Sequence, residues 1–142
     1  LTFTVGMAGL IGSLFWAAST PEQSGQPIAR ASERLSWSEF GSGLERAGAE
    51  GKPMVVFFFT TWCGYCKKMD RVTWKDPAVI DELSRNFVAA RVDVERSEGL
   101  AAPYGIATYP TIVMLDGGGR EISRAVGYRT PREMLRWLDE EG

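Results

Sequence analysis

Met54 to Phe59 (MVVFFF) is an unbroken apolar run, the pattern of a strand covered on both faces. Phe87 to Val94 alternates instead, with Val88, Ala90, Val92 and Val94 on one side, and predicts a second strand. Thr111 to Leu115 and Glu121 to Val126 predict a third and a fourth, joined through Asp116-Gly117-Gly118-Gly119. Between them the period changes. Ser36-Trp37-Ser38-Glu39 has capping-box spacing, with Trp37, Phe40, Leu44 and Ala47 at helical intervals, and predicts a helix ending near Gly51. Further helices are expected from Gly64 to about Val72, after Asp76-Pro77 to about Arg85, and over Leu100 to Tyr104. A last one opens at Thr130-Pro131-Arg132-Glu133 and places Met134, Leu135 and Leu138 on one side. The order α-β-α-α-β-α-β-β-α implies an α/β domain: a mixed sheet with helices on both faces.

Leu1 to Ser19 carries no charge and centres on the apolar run Val5 to Ala18. That run is shorter than the roughly 20 residues of a spanning helix and suits the apolar part of an export signal. Ala17-Ala18-Ser19 supplies small residues for cleavage, and an uncleaved membrane anchor or a buried N-terminal helix are the alternatives. Gly6, Gly9 and Gly12 weaken the helix reading. Residues 20–32, rich in Pro, Ser, Gln and Gly, read as a linker, leaving residues 33–142 for one domain.

Composition then removes whole classes of chemistry. Sixteen basic and eighteen acidic residues leave a formal net charge of -2, with no basic stripe of the kind that binds nucleic acid. The chain has no His, which excludes a Ser-His-Asp or Cys-His machine within it. Its two cysteines lie in Trp62-Cys63-Gly64-Tyr65-Cys66-Lys67, after the apolar strand and at the start of a predicted helix. A thiol at a helix N-terminus meets unpaired N–H groups and the positive end of the dipole, which favour thiolate, the attacking species in disulfide exchange. The second cysteine lies one turn on, within reach of the first. Zinc would need four N or S ligands and so a second chain. A structural bridge over so small a loop adds little. Redox use accounts best for the pair.

From about Ser36 to Leu138 the chain resembles the thioredoxin-like family, especially the C-terminal domain of the bacterial transporter DsbD and its small periplasmic relatives. The resemblance rests on KPMVVFFFTTWCGYCKKM, the VDV strand, YGIATYPT and GGGREISRAVGY. It implies a thioredoxin fold and a redox-active Cys63–Cys66 pair, with no cofactor and no metal. It also implies that Pro110 is cis and faces the cysteines, although X–Pro bonds are mostly trans. The backbone of Tyr109 would then pair with a client chain. A core aromatic remains the alternative for Tyr109, and a positive-φ hairpin glycine the alternative for Gly127. Trp62, Gly64, Tyr65, Tyr109, Pro110 and Gly127 form the expected client-facing set.

The expected function is a thiol–disulfide oxidoreductase that reduces, or relays electrons to, disulfides of exported proteins. Its expected setting is periplasmic or otherwise extracytoplasmic, as a monomer recharged by a membrane electron carrier of the DsbD kind. A disulfide-donating oxidase or isomerase, and a non-catalytic binding module of the same fold, are the alternatives. One departure stands out. The family usually carries a buried Asp six residues before the first cysteine, where this chain has Phe57. The resemblance therefore implies that Arg91 has lost its partner and that the Cys66 proton leaves through water or a more distant acid such as Asp93.

Overall fold

The computed structural model describes residues 34–142, together with Thr2. The expected leader (1–19) and linker (20–32) otherwise lie outside the described residues. Five helices and four strands follow in chain order: α1 (Phe40–Glu50), β1 (Met54–Phe59), α2 (Gly64–Arg71), α3 (Pro77–Asn86), β2 (Val88–Asp93), α4 (Glu98–Ala101), β3 (Thr111–Leu115), β4 (Glu121–Val126) and α5 (Pro131–Glu141). Short 3-10 turns at Thr73–Lys75 and Ala102–Tyr104 extend α2 and α4.

The strands form one mixed sheet in the order β2-β1-β3-β4. β1 pairs in parallel with β2, and the β1–β3 and β3–β4 pairs are antiparallel. The unbroken apolar run of β1 follows from this central position. Val55 and Phe57 face one core with residues of α2, α3 and α5, whereas Met54, Val56 and Phe58 face another with Ala47 of α1 and the apolar side of β2. At roughly 25 cal/mol per Å² of apolar surface removed from water, burial on both faces contributes strongly to holding β1 in the sheet.

Local signals explain the helix boundaries. Asp76 Oδ1 accepts the N–H groups of Ala78 and Val79 at 3.0 and 3.1 Å, and Pro77 occupies the first turn of α3. Thr130 and Glu133 close a reciprocal capping box on α5. Gly51 ends α1 at φ 63°, a left-handed position that glycine adopts without a Cβ clash.

The start of α1 differs from expectation. Its cap position is Glu39, whose side chain makes no capping bond, and the Ser36 box does not form. Ser38 instead bridges in parallel to Ala90, with its N–H donating to the Ala89 carbonyl at 2.8 Å. Trp37 consequently leaves the helix pattern and packs on the opposite side of the sheet. Its ring lies 5.3 Å from Trp74 and 6.1 Å from Phe57. A backbone bridge to the sheet edge outcompetes a local cap because it also packs a half-buried indole against Phe57 and Trp74.

Candidate active site

The turn after β1 delivers Cys63 to the first position before α2. Its backbone is extended (φ -75°, ψ 111°), and its Sγ accepts the N–H of Cys66 at 3.1 Å, so the sulfur itself caps the helix. Cys63 and Cys66 are joined as a disulfide with their Cα atoms 5.2 Å apart. Both are buried: Cys63 retains 5% of its surface and Cys66 1%. Phe57, Met69 and Trp74 belong to the same cluster as the pair, which anchors the start of α2 to the sheet.

Aromatic side chains surround the disulfide. Trp62 and Tyr65 are exposed, at 66% and 61%. The Trp62 indole N–H donates to Glu95, and its ring meets Tyr109 edge to face at 5.9 Å. Tyr109 is half-buried and touches both core clusters, so the structure places it at the boundary between core and surface. The Tyr109–Pro110 peptide bond is cis, and Pro110 is buried. The Pro110 carbonyl accepts the N–H of Gly127 at 2.8 Å, which fixes the end of the β4 hairpin beside the proline. Gly127 has φ 86°, so a side chain there would be strained. Gly64 is exposed, and a Cβ at that position would meet nothing within 4 Å.

Two residues near the site carried no functional reading in the sequence. Tyr128 lies 6.1 Å from the Tyr65 ring, with Lys68 Nζ 4.6 Å above its own ring. Its adjacency to Gly127 was the available signal. Asp70 is the other. Arg91 donates from both terminal nitrogens to the two Asp70 carboxylate oxygens at 3.3 Å. The acid implied at position 57 is absent, and Arg91 pairs with a different one: Asp70, four residues after Cys66 and so about one turn along α2. The guanidinium also lies 4.3 Å from the Phe59 ring and 5.5 Å from Phe57. Phe57 is fully buried, stacked on Phe59 at 5.5 Å and edge-on to Trp74 at 5.3 Å. Asp93 pairs with Arg96 at 3.7 Å and accepts the Glu95 N–H at 3.1 Å.

A four-stranded mixed sheet, a helix capped by the first cysteine of a CxxC pair and a cis-proline defined by this geometry are features of thioredoxin-like proteins. The chain belongs to that family: residues 40–142 match the thioredoxin-like domain. A solution structure of a thioredoxin from Thermus thermophilus is 32% identical, superposes with a TM-score of 0.68, and covers 75% of this chain and 85% of its own. Protein disulfide isomerase-like 2-2 of Oryza sativa subsp. japonica is 27% identical over 135 residues, 95% of this chain and 34% of that protein. The thiol:disulfide interchange protein DsbD of Actinobacillus pleuropneumoniae serotype 5b is 28% identical over 98 residues, 65% of this chain and 17% of that protein. The chain thus spans about a third or less of the length of these two curated relatives.

Proposed function

We propose that the domain is a protein thiol–disulfide oxidoreductase that works as a reductase or electron relay outside the cytoplasm. The observation that carries this reading is the Cys63 Sγ seated as the cap of α2, accepting the Cys66 N–H and bonded to Cys66. In the reduced protein the same N–H and the helix dipole favour the Cys63 thiolate.

The thiolate attacks one sulfur of a client disulfide, forming a mixed disulfide and releasing the other client sulfur as a thiol. Cys66 loses its proton and attacks Cys63 Sγ, which frees the second client thiol. The client gains two electrons and two protons, and the dithiol loses them. A client strand lying along Tyr109 and Pro110, with Trp62, Gly64, Tyr65 and Gly127 around it, brings its sulfur to this point. The oxidised pair then takes two electrons from another dithiol protein, for which a membrane carrier of the DsbD kind is the proposed partner.

The reading assigns residues 1–19 to a signal or anchor, 20–32 to a linker and 33–142 to a catalytic domain that acts as a monomer. The match to DsbD and the apolar run Val5 to Ala18 support the extracytoplasmic setting. Mixing the reduced protein with insulin and following release of insulin thiols tests the activity. Release of up to two insulin thiols per wild-type protein and none from Cys63→Ala is expected; equal release from the two would overturn it.

A further inference from the structure

The disulfide lies between two flanks of opposite charge. On the α2 flank Lys67, Lys68 and Arg71 are all exposed. Arg129 follows Tyr128 and spends its guanidinium hydrogen bonds on the carbonyls of Val126 and Tyr128. Lys68 rests on the Tyr128 ring, which continues to exposed Tyr65. Among the described residues the ion pairs lie elsewhere and include none of these four cations. The single acid within α2, Asp70, is taken by Arg91. On the other flank Glu95 carries negative charge and accepts from Trp62.

We infer that the α2 flank, Lys67, Lys68 and Arg71 with the Tyr65–Tyr128 ring pair, docks acidic polypeptide, so that the preferred clients carry Asp or Glu within two or three residues of the reacting cysteine. This rests on the thiol–disulfide exchange reading above and specifies its substrate class. Unpaired cations grouped beside a reactive centre raise the local concentration of an acidic chain, and salt screens the effect. A carboxylate arriving there meets cations that no acid among the described residues occupies, while the exposed Tyr65 ring covers the apolar stem of its side chain. The same carboxylate laid over Glu95 meets like charge. The two flanks together therefore orient the client as well as attract it.

The test uses the reduced full chain and three synthetic peptides of one length. Each has a single cysteine held as a 2-pyridyl disulfide and flanked at two positions on each side by Glu, Ser or Lys. Reduction converts the protein dithiol to its disulfide and releases the peptide thiol and coloured thiopyridone. At an ionic strength of about 10 mM the Glu peptide is expected to react roughly ten-fold faster than the Lys peptide, converging with it near about 1 M salt. The double substitution Lys67→Glu with Lys68→Glu is expected to reverse the order. Equal rates at low salt, or a preference that salt leaves unchanged, would overturn the inference without any variant. Thiopyridone release from the Ser peptide no faster than with Cys63→Ala would instead remove the exchange reading, and this inference with it.

Discussion

Arg91 binds Asp70 through two parallel hydrogen bonds of 3.3 Å, while position 57, where the resemblance implies an acid, is a phenylalanine within an aromatic cluster. The cation is thus held by α2, not by the strand beneath it. Its guanidinium spans the gap, bonded to the helix carboxylate and lying over the rings of Phe59, Phe57 and Trp37.

This arrangement sets a sign for a double-mutant cycle. Phe57→Asp removes a fully buried ring and buries a carboxylate whose cation is already occupied, so a loss of about 3–5 kcal/mol is expected in urea melts. Asp70→Asn alone is expected to cost no more than about 1 kcal/mol, because both partners are partly exposed. In the Asp70→Asn background Arg91 is free to turn to the new acid, so Phe57→Asp costs less there. Strict additivity of the two changes would show that Arg91 does not link the sites.

Nucleophile order follows from the cap. Only Cys63 Sγ accepts a helix N–H, and Cys66 lies deeper. Brief alkylation of the reduced protein near neutral pH is expected to label Cys63 first, as read by peptide mapping. Faster labelling of Cys66 would reverse the assigned roles.

Trapping separates the two thiols by function. Cys66→Ala keeps the attacking sulfur and lacks the resolving one, so mixed disulfides with clients accumulate. Cys63→Ala is expected to retain almost none. Similar adduct yields on a non-reducing gel would contradict the mechanism.

The potential depends on how strongly the reduced thiolate is favoured. The residues between the cysteines are Gly64 and Tyr65, neither of which supplies a cation, and Lys67 and Lys68 are solvent-exposed and screened. Equilibration with glutathione buffers, read through Trp62 fluorescence, is expected to give a value below about −200 mV. A value near −120 mV would make the domain a disulfide donor.

Acid should loosen the β3–β4 turn. Asp116 accepts the N–H groups of Arg120 and Gly118, and these bonds hold its carboxyl below the usual value of 3.8. A folded value below the unfolded one gives stability that is complete above the unfolded pKa and is lost as pH falls through the folded one. Asp116→Ala is expected to flatten the stability profile below about pH 4 relative to wild type. An unchanged acid limb in that variant would remove Asp116 as its source.

The frame of the site was legible because it is local. An apolar strand, a CxxC and a helix start follow one another in a few residues, and the caps at Asp76 and Thr130 need only their own neighbours. What escaped depends on chain segments meeting in space. The Ser36 capping signature does not form a cap, because Ser38 joins Ala90 from a distant strand and carries Trp37 across the sheet with it. Asp70 and Arg91 meet only because helix phase and the β1–β2 register bring them together. Tyr128 gains meaning only beside Tyr65 and Lys68.

Because β1 sends alternate side chains into two separate cores, neither core can melt while the other keeps its wall. Unfolding should then be a single cooperative transition whether the sulfurs are joined or free. Two melts, one in each redox form, close a thermodynamic cycle with the potential. If folding favours the disulfide over the dithiol, the oxidised protein melts higher and the couple becomes more reducing. The calorimeter and the glutathione titration therefore measure one quantity by independent routes.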